Sequence, residues 1–385
     1  MKRVNHISKR STSTFPNLMF KLLVAFKLPF YKKKLLIVRP DAIGDYVLFR
    51  NCLPEIRSEG KFAGYKIVLL GNIVFKDLAE AYDSSFIDEF IWINPNEVNT
   101  IGARFKLLLK LKLHFFEIII NPLHSHYLEY DIFLSQVKAK ILIGSKGDDV
   151  RLKTGENQQL SNSLYTYLVE VPGTEEFEFF RNIAFMGNLL NRSVRNVSLS
   201  LKGSKICDLQ EDCLKIIIVP GAGDKFRRWS PENFAVLIKD IDSNLHKKIR
   251  FIITGSQSER IIADQIKKHV GKHNVISLCG EITLVELVDI IAGAKLLISN
   301  ETGTVHIAAA VGTPAVCISN GNHFGRFNPY PEVLSKCIYT VYPDESFYDK
   351  NNYDTCVKKY KYGSAIDINT ITPDKVFQLA SSLLS

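Results

Sequence analysis

The stretch LLISNETGTVHIAAAVGTPAVCI, residues 296–318, reads as a strand, a short loop, a helix, a tight turn and a second strand. LLIS is too short and apolar for a surface helix, while HIAAAVG has helix-forming alanines and ends on Gly312-Thr313-Pro314, a stop followed by a new strand. Two strands joined through one helix make a βαβ unit, and such units build parallel sheets. Ala308, Ala309 and Ala310 let that helix lie close to its sheet. Where the strand ends, Glu301-Thr302-Gly303-Thr304 leaves free backbone amides at the positive end of the helix. Such a turn binds phosphate without needing a metal.

Working outward, the same alternation recurs along the chain. KIIIV (215–219), RFIIT (250–254) and NVISL (274–278) precede the opening stretch, and KLLIS (295–299) and PAVCI (314–318) lie within it. Upstream come KLLIVR (34–39), KIVLL (66–70), EFIWI (89–93), EIIIN (117–121) and KILIG (140–144). The polar stretch 191–214 separates the two series. The expected architecture is α/β, with two facing Rossmann-like, doubly wound parallel-sheet domains, at 34–200 and 201–385. A basic arm, 1–33, precedes them. The tyrosine-rich segment 340–370 is expected to be irregular, and Thr372-Pro373 to open a terminal helix. A length of 385 residues with 46% hydrophobic content suits two separate cores.

The net charge of +9 is localised. Residues 1–34 hold nine Lys or Arg and no acid, which leaves 40 basic and 40 acidic residues elsewhere. A neutral body argues against a nucleic-acid-binding fold. In PNLMFKLLVAFKLPFYKKK, apolar residues alternate with lysines, which suits a helix lying on an anionic membrane surface; a solvated tail packed on the body is an equal alternative. Lys21 and Lys27 interrupt the apolar stretch, so neither a secretory signal nor a membrane span is expected, and the location reads as cytoplasmic. Seven cysteines without a Cys-x-x-Cys pair suggest reduced thiols, with no structural zinc.

Ligands of open α/β sheets bind beyond the carboxyl ends of the strands, so the chemistry is sought on the loops there. After KLLIVR the chain reads Pro40-Asp41-Ala42-Ile43-Gly44-Asp45, where Gly44 suits a tight turn and Asp45 opens a helix. Asp45 is either a cap or a cleft carboxylate. In PGAGDKFRRWSP, Gly221 and Gly223 permit close approach to an anion and Lys225, Arg227 or Arg228 supplies charge; a flexible basic loop is the plainer reading. In FIITGSQSER, Glu259 suits ribose hydroxyls or simply complements a helix dipole. His124 and His126 follow EIIIN and face the cleft without a third metal ligand, and Asp240-Ile241-Asp242 falls within a helix.

Together these segments resemble glycosyltransferase family 9, the ADP-heptose:lipopolysaccharide heptosyltransferases, over about Lys34 to Tyr330. The marks are R-x-D-A-I-G-D at Arg39–Asp45, P-G-A-G with Arg227 and Trp229, and N-E-T-G-x-x-H-x-A-A-A-x-G-T-P at Asn300–Pro314. The resemblance implies the two-lobed GT-B fold and an inverting, metal-independent transfer of a heptose or similar sugar. The donor would be ADP-heptose or a related nucleotide sugar, and the acceptor a lipid-linked glycan such as the lipopolysaccharide core. It implies Asp45 as general base, with Gly221, Gly223, Lys225, Arg227, Thr302, Gly303 and Thr304 on the diphosphate. Glu259, Glu301 and His306 would meet the donor ribose and sugar, and Asp41, Gly44, His124, Arg181 and Asn182 the acceptor side. No cofactor is implied, and the basic arm would hold the protein peripherally at the inner membrane face. Glu301 departs from the family pattern, which has Asp there, and this leaves the sugar open. Alternatives are another donor, a sugar-nucleotide epimerase of similar fold, or a non-catalytic nucleotide- or glycan-binding scaffold.

Overall fold

Runs such as LLIV and IVLL have no polar alternation, so the strands they form must be covered on both faces. Leu35 to Val38 and Ile216 to Ile218 are indeed at most 1% exposed. The computed structural model describes residues 31–95, 100–148, 158–173, 176–194, 197–203 and 213–385. The first sheet holds β1 (Lys32–Arg39), β2 (Lys66–Asn72), β3 (Glu89–Ile93), β4 (Phe116–Asn121), β5 (Ile141–Ser145) and β6 (Tyr167–Val169). The second holds β7 (Leu214–Val219), β8 (Ile249–Ile253), β9 (Val275–Ser277), β10 (Leu296–Asn300), β11 (Ala315–Ile318) and β12 (Ile338–Val341).

Both sheets are parallel throughout, in the orders β3-β2-β1-β4-β5-β6 and β12-β11-β10-β7-β8-β9. Each is the doubly wound order of a dinucleotide-binding fold. The order reverses between β1 and β4 in one lobe and between β7 and β10 in the other. Loops at these two points leave in opposite directions and open a crevice, and both crevices face the joint between the lobes.

The helix Ile43–Phe49, which follows β1, crosses onto the helix Gly303–Val311, which follows β10. Tyr46, Val47, Val305, Ile307 and Ala308 share one buried cluster there, so the apolar core is continuous between the lobes. The contact is close because both helices present glycine. A Cβ on Gly44 would lie 2.8 Å from His306 Cδ2, and one on Gly303 would lie 2.9 Å from the Gly44 nitrogen. Gly44 was expected to serve a turn; it lies inside the helix, and helix packing requires its small size.

The structure departs from the sequence reading elsewhere too. β1 starts at Lys32, two residues before the expected run, and the rest of the basic arm, residues 1–30, lies outside the described residues. Short edge strands β6 and β12 complete the sheets. The segment 340–370, expected to be irregular, contains the helix Tyr353–Tyr360 and packs Phe324, Tyr342, Phe347, Cys356, Val357 and Tyr360 into a small core of its own. The terminal helix Pro373–Leu384 is capped by Thr372, whose hydroxyl accepts from the Lys375 amide at 3.4 Å.

Candidate functional site between the lobes

The donor-side turn is held by its own side chains. Thr302, in extended conformation (φ −144°, ψ 175°), precedes the helix Gly303–Val311. The hydroxyls of Ser299, Thr302 and Thr304 form a closed set, at 3.2 Å, 3.0 Å and 2.7 Å. They fix the loop so that the first-turn amides, which have no partner within a helix, face outward. Asn300 ties this turn to the glycine loop. Its Oδ1 accepts from the Trp229 amide at 3.1 Å, and its Nδ2 donates to the Pro220 carbonyl at 2.8 Å. Trp229 is fully buried, with its indole N–H on the Ile371 carbonyl at 2.8 Å.

Between these loops lies a pocket of about 550 Å³. Gly221, Gly223, Thr302, Gly303 and Thr304 line it, together with Glu259 and Thr254. Ile282, Leu284 and Leu287 supply apolar lining. The first lobe closes the mouth with Ile43, Val74 and Asp77. Glu259 caps the helix start, as its plainer reading expected, and also lines the pocket. Its Oε2 accepts from the Ser256 amide at 2.7 Å, closing a capping box, while Oε1 lies where a Gly221 Cβ would be, at 1.8 Å. Gly221 is therefore glycine to admit this carboxylate. Thr254 is 1% exposed and its hydroxyl has no hydrogen-bond partner among the described residues.

Four residues expected on the donor, Lys225, Arg227, Glu301 and His306, are not among those that line the pocket. Glu301 is 4% exposed and does not line the pocket. Burial pushes its carboxyl up, opposed by Arg227 and by the Ser319 hydroxyl, which donates to Oε2. Arg227 spends Nη2 on Glu301, at 2.5 Å to the carbonyl and 3.2 Å to Oε1. Lys225 is exposed on the short turn Lys225–Arg227, outside the pocket wall. His306 is buried against Gly44 and bonded through Nδ1 to the Tyr330 hydroxyl, and burial lowers its pKa to about 3. Its ring is part of the lobe joint.

Of the residues expected on the acceptor side, the structure gathers Asp41, His124 and Arg181 near Asp45, and adds Arg39, Glu178 and Arg326, which the sequence had not singled out. Arg39 Nη2 reaches the Asp41 carboxylate at 2.5 Å and the Asp45 carbonyl at 3.1 Å. Burial pushes Asp41 up to about 7 despite Arg39, with Asp45 and Glu178 adding to the rise. Asp45 lies in the first turn of its helix without capping it, and Arg326 is among the charges that act on it. Arg326 arrives from the loop after β11, with Nε on Glu178 Oε2 at 2.8 Å and Nη1 on the Ser125 hydroxyl at 3.0 Å. Burial alone would raise Glu178; Arg326 and Arg181 instead bring it down to about 2. Arg181, expected to touch the acceptor, is occupied. It bonds Glu178 at 2.6 Å and the carbonyls of Gly173 and Glu176 at 2.9 and 2.8 Å. Asn182 is buried beside it with Nδ2 unpartnered among the described residues. His124 Nε2 stands 3.3 Å from Asp148, whereas His126 is locked onto Asp131 and the Ser145 carbonyl, a structural role. A signal for Glu178 was present in EFFR, where acid and base stand three apart on one helix face.

Two doubly wound lobes with a pocket between them define the GT-B fold. The solved structures agree. An E. coli ADP-heptose lipopolysaccharide heptosyltransferase II superposes with TM-score 0.66 at 18% identity, covering 91% of this chain and 98% of the other. An E. coli heptosyltransferase solved with ADP superposes with TM-score 0.65 at 14% identity, covering 91% and 99%. The model of glycosyltransferase family 9 (heptosyltransferase) matches residues 190–355. Lipooligosaccharide heptosyltransferase 2 of Haemophilus ducreyi is 30% identical over 163 residues, 41% of this chain. That match spans 44% of the relative, a little under half its length.

Proposed function

We propose that the protein is an inverting glycosyltransferase that moves a heptose, or a similar sugar, from ADP-heptose or a related nucleotide sugar to a lipopolysaccharide core or related glycan. The observation that carries this reading is the pocket itself. Gly303 and Thr304 at the helix start and the Glu259 carboxylate line it, and the helix that carries Asp45 packs against Gly303. A nucleoside diphosphate placed with its phosphates on the helix terminus sets its ribose at Glu259 and its base at Leu284 and Leu287. The sugar then points towards Asp45.

In this reading the Asp45 carboxylate takes the proton of an acceptor hydroxyl while that oxygen attacks the anomeric carbon. The bond from that carbon to the diphosphate breaks on the opposite face, so the configuration inverts. The developing negative charge is met by the helix amides and by the Arg227 cation beside them, and the proposal needs no metal. Among the described residues no helix is long and apolar enough to cross a membrane. The proposed membrane contact is the basic arm, residues 1–34. Deleting residues 1–30 should abolish co-sedimentation with anionic vesicles; unchanged sedimentation would sink that part.

The test of the catalytic reading is Asp45→Asn. A transferase loses turnover by about 10²–10⁴-fold, the usual contribution of a general base, while ADP affinity is retained. A binding scaffold shows no turnover before or after the change.

A further inference from the structure

The position of Glu301, between the Asn300 anchor and the Thr302 turn, suggested a sugar contact. Its geometry does not. The side chain is 5% exposed, Oε1 faces Arg227 at 3.2 Å and Oε2 accepts the Ser319 hydroxyl. Ser319 Oγ also accepts from the Gly321 amide at 3.1 Å, which anchors the loop that carries Arg326 and Tyr330 to the lobe joint. Arg227 meets the backbone carbonyl of Glu301 as well, so its guanidinium is gripped next to the peptide that leads into Thr302. Its Nε is buried and has no partner among the described residues. A guanidinium has five N–H donors in a rigid fork. With Nη2 held by Glu301 and Nε buried, Nη1 is the donor left to meet a ligand beside the phosphate turn.

We propose that Glu301 is a positioning residue. It aims Arg227 at the diphosphate end of the pocket, ties that cation to the 319–331 loop, and does not touch the transferred sugar. This rests on the reading of the pocket as a nucleoside diphosphate site. The longer acid matters because one carboxylate must span from Arg227 to Ser319, and a buried carboxylate is tolerated only when paired and hydrogen-bonded.

Calorimetric titration of the full chain with AMP, ADP and ADP-heptose separates the possibilities. Glu301→Gln should weaken ADP and ADP-heptose by the same factor, about tenfold, and leave AMP unchanged, since the lost charge-assisted contact acts on the second phosphate. Arg227→Ala should show the same pattern, and the double variant should be little worse than either single one. Thermal melts report whether Glu301→Gln folds; should it not, Arg227→Ala and Arg227→Lys carry the same AMP-against-ADP comparison. Weakening of ADP-heptose alone would mean a direct sugar contact and overturn the proposal. So would tighter ADP binding in Glu301→Gln, which would mean that the carboxylate competes with phosphate, or losses that add in the double variant. A native chain that binds none of ADP, UDP or GDP removes the pocket reading first and this inference with it.

Discussion

Replacing Gly44 by alanine adds one carbon at the place where the lobes touch. That carbon would lie 2.8 Å from His306 Cδ2 and 3.1 Å from the Gly303 Cα. Carbon atoms pack at roughly 3.5–4.0 Å, so one side must move by about 0.7 Å or more. His306 has nowhere to go. It is 6% exposed, its Nδ1 is bonded to Tyr330, and Phe327 lies beside it with ring centroids 5.9 Å apart. Gly303 offers only backbone. The relief is a lift of the helix Ile43–Phe49, which also carries Asp45. Alanine gains about 1 kcal/mol over glycine in a helix interior, less in a first turn, against an overpacking cost of about 1–3 kcal/mol. Net stability should therefore fall by no more than about 3 kcal/mol, a melting shift of several degrees at most. With Asp45 as the proposed general base, a displacement of this size should lower turnover on the order of 10²-fold. The assay is ADP release from ADP-heptose at saturating donor, run beside thermal melts. Combining Gly44→Ala with His306→Ala gives the new carbon space, so the double variant should lose less than the sum of the singles by more than about 0.5 kcal/mol. Full turnover and an unchanged melt in Gly44→Ala, or strict additivity with His306→Ala, would refute the joint as described.

Thr254→Val removes a hydroxyl that has no partner among the described residues, so folding should be unaffected, while ADP affinity should fall about tenfold by calorimetry; unchanged affinity would count against the hydroxyl as a ligand contact. Asp41→Asn probes pH dependence. Because the folded protein raises the Asp41 pKa to about 7, from about 3.9 unfolded, the folded state holds the proton more tightly. The stabilisation is complete below about 4 and fades as pH rises through 7. Denaturant melts of the native chain should therefore decline relative to Asp41→Asn across that window, and parallel curves would count against it. Chelation with EDTA should leave turnover unchanged, because amides and cations meet the leaving group; loss restored by a divalent ion would contradict this.

The strands and their doubly wound order were legible because fully buried parallel strands leave unbroken apolar runs. β6 and β12 were not, since YLV and IYTV are short edges with one or two residues exposed, too little pattern to separate from a loop. The helix Tyr353–Tyr360 was hidden by its polarity, since Cys356, Val357 and Tyr360 alone form its buried face. The glycine loops and Thr302–Thr304 were readable, because a turn that presents amides needs residues of those types. Arg326 and Glu178 were not, because their pairing joins residues 148 apart in sequence and exists only where the lobes meet. Glu301 was misplaced for a related reason. Its chemistry suits a sugar contact, and only the fold shows that Arg227 and Ser319 already occupy it.

The measurement that bears most directly on the account is ADP release from ADP-heptose, with and without a lipopolysaccharide core acceptor, for the native chain and Asp45→Asn. The pocket and its neighbouring carboxylate predict acceptor-dependent release in the native chain, and its loss in Asp45→Asn with ADP still bound. ADP binding without release under any acceptor, or undiminished release in Asp45→Asn, would contradict it.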